Sequence, residues 1–400
     1  MLAKLNLNQV YQYLLLTLAF LMPLTVFGAN LIIVIICVLW IFSGDYKSKY
    51  KLIIQNKFLV SSIVFFGLHV VGLLWTSDLE WGFHIVHKMW YFLLLLPVLY
   101  TIVQKKYIRK YITFFLIAVT VSEITSYLIW FEVVPPFKYA TVLNPTPFMS
   151  HISYNPILAF AIYLLSHELL FTRNLSKFKI ICYSFFITTM TINMFITGGR
   201  AGHVMYFVML SIIIFQFFNF QKIKSLVAIA IIIPSIFFTA YQSSGYFHYR
   251  VDLAFKNIQD YSENLNSSVG LRITYTKNSW ELIKNNPIIG VGTGDFPSEY
   301  KKINSINTPN QPNTTNPHNM YVLILTQLGF IGFASFLTIF YYQIKLSFTM
   351  GERYLREIGI TMPVLFLVIM LSDSYLLGHY TTLMYVFFSS FLYRDFEKTL

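Results

Sequence analysis

The stretch NTTNPHNMYVLILTQLGFIGF, residues 313–333, changes within a few positions from an Asn-rich polar tract to an apolar run, and a lone histidine, His318, stands at the seam. The apolar run continues to about residue 345, longer than the ~20 residues with which a helix crosses ~30 Å of hydrocarbon. The rest of the chain agrees. Of 400 residues, 56% are hydrophobic and only 12% charged, with a mean hydropathy of +0.60, so charge is too scarce to coat a soluble core. Comparable runs lie at about 11–28, 29–43, 58–75, 83–103, 112–131, 152–171, 178–197, 202–220, 223–241, 319–345, 358–377 and 379–393. We therefore expect an all-α polytopic membrane protein with about twelve transmembrane helices. The short runs 29–43 and 379–393 leave full crossing open there. The first run, Tyr11 to Gly28, lacks a cleavage pattern and reads as a retained span. Cys37 and Cys182 both lie in apolar runs, which offers no disulfide framework.

Lys and Arg alternate between loops, and the positive-inside rule converts that alternation into sidedness. Lys47, Lys49, Lys51 and Lys57, then Lys105, Lys106, Arg109 and Lys110, mark loops on one side, as do Arg353, Arg356 and Arg394 later in the chain. Both termini are thus expected in the cytoplasm. The net charge of +12 is accounted for by topology and by contact with membrane lipids, with no call for nucleic acid. Three regions follow: 1–241 with the first nine spans, an outer loop domain at 242–318, and 319–400 with the last three spans and a cytoplasmic tail. The loop domain reads as helical. In its first part Val251, Ala254, Phe255, Ile258 and Leu265 share a face, and a second helix runs from Leu271 to Lys284. Gly290-Val291-Gly292-Thr293-Gly294 follows no strand and opens no βαβ unit, so it reads as a tight turn rather than a dinucleotide fingerprint.

The unusual polar residues gather on the expected outer side. Asn316 is a favoured N-cap and Pro317 a favoured first helical residue, which sets His318, next to Asn319, in the first turn of a membrane helix. There the dipole disfavours positive charge and keeps the imidazole neutral, as a general base requires. Arg200 stands in TGGRAGH, where Gly198, Gly199 and Gly202 permit close backbone approach and a helix N-terminus favours an anion. Arg272 begins a helix whose dipole it opposes, which points to a fixed anion nearby. Lys88 lies within the fourth span, at the right height for a phosphate, though it also has the options of snorkelling outward or pairing with Glu123. Asp78 and Glu80 with His84 and His87 have the look of a metal set, but Ser77-Asp78-Leu79-Glu80 reads better as a capping box, so no metal or cofactor is expected. Several cations with one base on an outer face suit transfer of a glycosyl group from a polyprenyl diphosphate to a hydroxyl. Arginine forks grip the diphosphate, whose neutralised charge makes it a good leaving group, while the base activates the acceptor.

At TGGRAG, at the tract from Arg272 through Trp280 to NNPIIGVGTGDF, and at PHNMYVLILTQLGFIGF, the sequence resembles the O-antigen ligase and polymerase superfamily, most closely the O-antigen ligases of lipopolysaccharide assembly. The resemblance covers about 190–335. It implies a GT-C-type, metal-independent, inverting glycosyltransferase of the bacterial inner membrane. In such an enzyme Arg200 and Arg272 hold undecaprenyl diphosphate carrying the glycan, and His318 activates a sugar hydroxyl of lipid A-core. Gln327 departs from the family, where an acidic residue is common. Two rivals share the chemistry: an O-antigen polymerase and a protein O-oligosaccharyltransferase. A lipid-linked saccharide transporter is a third, but it calls for polar residues through several spans or a repeat, and neither is evident.

Overall fold

The computed structural model describes residues 6–259 and 265–396. In chain order its α-helices are α1 (Leu7–Leu21), α2 (Val26–Phe42), α3 (Tyr46–Gln55), α4 (Lys57–Val71), α5 (Leu79–Trp90), α6 (Leu96–Ile102) and α7 (Ile108–Trp130). Then come α8 (His151–Phe171), α9 (Lys177–Ile196), α10 (Arg200–Phe217), α11 (Lys222–Ser243) and α12 (Gly245–Gln259). The last five are α13 (Ser268–Asn285), α14 (Phe296–Asn307), α15 (Met320–Thr349), α16 (Arg353–Ile369) and α17 (His379–Leu392). No strand occurs among the described residues, and the chain is an all-α polytopic membrane protein. Among the described residues eight helical stretches are long and apolar enough to cross a bilayer, or nine if the sharply bent pair Val26–Phe42 and Tyr46–Gln55 counts as one span. Four further apolar helices, α1, α2, α16 and α17, have 15, 17, 17 and 14 residues, short of a full crossing by length alone.

The chain forms two compact units, one of residues 1–14, 31–108 and 254–400, the other of residues 15–30 and 109–253. In the second, α8 packs on α9 and α10, and α10 on α11. In the first, α4 lies along α15, and α15 packs on α13 and α16. The stretch Leu79–Ile102 is continuous but passes through a π-helical turn at Tyr91–Leu95. Pro97, near the start of α6, has no N–H to give to the preceding turn, and the ladder widens there. Outside these spans α13 and α14 close a small core of Tyr275, Leu282, Phe296, Tyr300 and Leu323.

Two expectations need correction here. The apolar face assigned to the first loop helix is not packed, because Phe255 and Ile258 on α12 are exposed. The run after His318 is also not one regular helix, since α15 is broken at Gly329, whose φ is 60° and ψ −159°. Loop backbone fills the break. Val291 and Gly292 donate to the carbonyls of Thr326 and Gln327 at 2.9 and 3.0 Å, while Phe330 and Ile331 donate to those of Pro287 and Ile288 at 2.8 and 3.2 Å. A helix interrupted at membrane depth must satisfy its freed groups within the protein, and residues 287–292 do so here. The Gly-rich tract is thus a turn spliced into a helix. Gln327 is part of it, donating from Nε2 to the Thr293 carbonyl at 2.6 Å, a bond that an ionised acidic residue cannot make.

The splice depends on glycine. A Cβ on Gly290, where φ is +72°, would lie 2.4 Å from the Gln327 carbonyl carbon and oxygen. Gly290→Val is expected to cost about 2–5 kcal/mol through strain and overpacking. Gly245→Ala, whose Cβ meets nothing within 4 Å, should stay within about 0.5 kcal/mol. Thermal unfolding of the two variants in detergent separates them, and equal midpoints would contradict the splice.

Candidate active site

The loop before α15 holds His318 by a chain of local bonds. Asn304, on α14, donates to the Gln311 carbonyl at 2.9 Å and to Asn313 Oδ1 at 3.1 Å, anchoring the start of the Asn-rich tract. Asn316 Oδ1 then accepts from the backbone N–H of His318 at 2.9 Å, an Asx turn that spans Pro317. This turn sets His318 at φ 54°, in the left-handed region. The helix itself starts at Met320, capped by Asn319, whose side chain accepts from Tyr321 N and Val322 N. Asn316 and Pro317 are therefore not the cap and first residue of α15. His318 lies outside its first turn, so the dipole argument does not apply to it. Both asparagines satisfied the local rule, and the tertiary bonds of Asn316 decided between them.

The partner of His318 is Asp373, from the turn between α16 and α17. The imidazole Nδ1 lies 3.2 Å from Asp373 Oδ1. The same oxygen accepts from Ser374 N at 2.7 Å and from Asn316 Nδ2 at 3.2 Å, while Ser374 Oγ donates to Asn316 Oδ1 at 2.9 Å. Further stitches join the two segments: Met320 N to the Met370 carbonyl at 3.0 Å, Asn319 Nδ2 to the Leu371 carbonyl at 3.2 Å, and Tyr321 Oη to the Leu367 carbonyl. A carboxylate can only accept, so the neutral ring carries its proton on Nδ1 and keeps Nε2 as its basic nitrogen. Burial pushes the Asp373 carboxyl up, but the hydrogen bond and charge of His318, the Ser374 N–H and the charge of Arg272 outweigh it and hold the carboxyl below 3.8. The His318 side chain remains 37% exposed, against 15% for Asp373, which leaves the ring reachable by a substrate.

Helix α13 supplies the third wall. Its N-cap Ser267 accepts from Gly270 N, and the helix then presents Arg272 and Tyr275, three residues apart, on one face. The Tyr275 ring lies over that of His318 with centroids 6.1 Å apart and planes at 24°. Arg272 is half-buried, its charge is felt at Asp373, and it forms no salt bridge among the described residues. His318 and Arg272 therefore come together as the sequence suggested. Asp373, Ser374 and Tyr275 went unread. The available signal for Asp373 was Ser372-Asp373-Ser374, a polar triplet inside the run read as 358–377, which α16 leaves at Ile369.

Lys88 is half-buried on α5, and α5 packs on the turn Tyr375–Leu377 that follows Asp373. Three residues on, Tyr91 Oη bonds His379 Nδ1 at 2.8 Å. The segment 371–379 thus touches His318 at one end and the Lys88 face of the fourth span at the other. The cap of α5 is Asp78, accepting from Trp81 N at 2.9 Å, and not Ser77 as the capping-box reading had it. Ser77 N and Asp78 N instead donate to the Asp295 carboxylate at 2.8–2.9 Å, tying the Gly-rich turn to α5.

Arg200 belongs to the other unit, as the first residue of α10 behind the N-cap Gly199. The glycines around it are places of close approach. A Cβ on Gly202 would lie 2.1 Å from Asn155 Cβ, one on Gly199 2.8 Å from Asn155 Nδ2, and one on Gly198 2.4 Å from Tyr246 Oη. Gly198 N donates to Asn144 Oδ1 at 2.8 Å, and buried His203 reaches the Met194 carbonyl at 2.9 Å, so the turn is fixed on both sides. Within the same unit an apolar cavity of about 780 Å³ is lined by residues that include Trp130, Phe195, Ile196 and Tyr246.

Comparison with known proteins bears on both parts. No curated protein matches the chain. A family model described as O-antigen ligase matches residues 185–337, a segment that contains Arg200, Arg272, the Gly-rich turn and His318. Over this segment the chain is similar to the O-antigen ligase family.

Proposed function

We propose that this protein transfers a preassembled O-antigen glycan from undecaprenyl diphosphate to a sugar hydroxyl of lipid A-core, at the periplasmic face of the bacterial inner membrane. The observation that carries the reading is the His318–Asp373 pair with Arg272 beside it, of which His318 and Arg272 lie in the segment that matches the O-antigen ligase model. His318 Nε2 takes the proton of the acceptor hydroxyl as its oxygen attacks the anomeric carbon. The bond from that carbon to the diphosphate breaks, and the diphosphate leaves with the electron pair. Asp373 holds the ring and stabilises the imidazolium that forms. Arg272 neutralises the leaving diphosphate, and Lys88 is assigned a supporting charge. Displacement in one step inverts the anomeric configuration and leaves no role that needs a metal. Arg200 joins this reading through its TGGRAG motif, and the apolar cavity of its unit is suited to a lipid tail.

Acceptor identity is the decisive test. Purified protein is given undecaprenyl-diphosphate glycan and, in separate reactions, lipid A-core, a Ser/Thr-containing protein or more lipid-linked glycan. Transfer to lipid A-core supports the reading. Transfer only to protein or only to the lipid-linked glycan replaces it with one of the two related activities, and transport without transfer sinks it. Arg272→Lys keeps the charge but loses the bidentate fork, so the efficiency of donor use should fall by ~10–100-fold. An unchanged dependence of rate on donor concentration would remove Arg272 from the diphosphate site.

A further inference from the structure

The first unit also carries a composite cavity at its Lys- and Arg-rich end, toward the end of α15 away from the His318 loop. A polar pocket of about 250 Å³ is lined by Asn56, Lys57, Tyr100, Tyr342, Lys345 and Asp395, among others. An apolar groove of about 430 Å³ runs between α4 and α15, and Lys57 and Tyr342 line both. The two are therefore one site with a charged head and an apolar channel. The groove follows Lys57, Val60, Ser61 and Val64 on α4 and Ser335, Thr338 and Tyr342 on α15. Both sets have helical spacing, and seven residues of α4 give about 10 Å of length. The hydroxyls of Ser61 and Thr338 are turned back on the carbonyls of Phe58 and Ala334, at 2.8 and 2.7 Å, so they present hydrocarbon to the groove. Val60 and Val64 are 37% and 50% exposed, which makes the channel open to lipid.

The head is rigid and positive. Asn56 Nδ2 donates to Tyr100 Oη and to the Tyr393 carbonyl, both at 2.9 Å, and Asn56 Oδ1 accepts from Leu59 N, capping α4. The pocket floor is thus tied to α4, α6 and α17 together. Lys57 and Lys345 line the pocket, the Lys345 ammonium lying 3.5 Å from Tyr341 Oη, and the N-terminus of α4 adds partial positive charge. Asp395 also lines the pocket.

We propose that this cavity is a binding site for an anionic phospholipid of the phosphatidylglycerol type. Its phosphodiester sits between Lys57 and Lys345, its headgroup hydroxyls face Asp395, and one acyl chain fills the groove along α4 and α15. Charge complementarity selects this occupant over a zwitterionic lipid. The channel selects it over a free anion.

The test uses the purified full-length chain in detergent, titrated with phosphatidylglycerol, phosphatidylcholine or inorganic phosphate. Thermal unfolding and native mass spectrometry report occupancy. Phosphatidylglycerol should give a saturable rise in midpoint and a retained lipid, while the other two should not. Lys57→Ala with Lys345→Ala should weaken binding roughly tenfold or more. Val64→Trp should block the groove and abolish the rise, and it serves as an independent variant if the lysine pair fails to fold. Lys222→Ala with Lys224→Ala, in the other unit, should leave the effect intact. Equal stabilisation by phosphatidylcholine, a full shift from inorganic phosphate alone, or undiminished binding in both the lysine pair and Val64→Trp would overturn the proposal.

Discussion

His318→Ala is expected to lower turnover by ~10²–10⁴-fold, the usual worth of a positioned general base, while the protein remains folded and binds its donor. The imidazole is 37% exposed, so its removal empties no core volume. The backbone is the complication. His318 sits at φ 54°, where a residue with a Cβ but no local polar bond carries ~1–2 kcal/mol of strain. Asn visits that region readily, and His318→Asn is the matched control, keeping the turn but lacking the base. Both variants should lose turnover in a single-turnover assay with purified protein and lipid-linked donor. Retained transfer in His318→Asn would take the imidazole out of the mechanism.

Asp373→Asn should be the next most damaging change, with ~10²-fold or greater loss of turnover. An amide cannot stabilise the imidazolium, and it allows the wrong ring tautomer. Donor affinity should change little, which separates orientation of the base from binding. The carboxyl also makes a pH signature. Its pKa in the fold is depressed below 3.8, so its contribution to stability is complete above that value and is lost as pH falls through the folded value. The difference in unfolding midpoint between wild type and Asp373→Asn should therefore persist from neutral to mildly acidic pH and be lost only in stronger acid. A difference that collapses near neutrality would mean the carboxyl is not held ionised by His318, Ser374 N–H and Arg272.

Much of the architecture was legible because hydrocarbon leaves a chain few options. Uncharged runs must close their own backbone bonds, and the long runs found in the sequence are mainly helical, although α1 ends at Leu21 within the run 11–28 and α16 at Ile369 within the run 358–377. The glycines at 290, 292 and 294 were legible as a turn because two of them need positive φ, at 72° and 115°. The destination of that turn was not. The break at Gly329 lies in a run that looks uniformly helical, and only residues 287–292, some forty positions earlier, make it affordable. At the site, His318 and Arg272 stood out as polar residues beside apolar tracts. Asp373 did not, because it lies 55 residues beyond His318 and inside the run read as the span 358–377, whose helix ends at Ile369. The cap of α15 was misread for a related reason. Asn316 and Asn319 are equivalent to local rules, and only the bonds of Asn316 to Ser374 and Asp373 tell them apart.

The stitching of residues 316–321 to 367–374 also fixes a moment in the life of the chain. Synthesis delivers Arg272 and His318 well before position 373, and until the turn after α16 has emerged the imidazole has no carboxylate to orient it. A nascent chain halted at residue 370 would hold the base, the cation and the spliced helix, yet have no oriented pair. The oriented pair therefore forms only once the turn between α16 and α17 has been made.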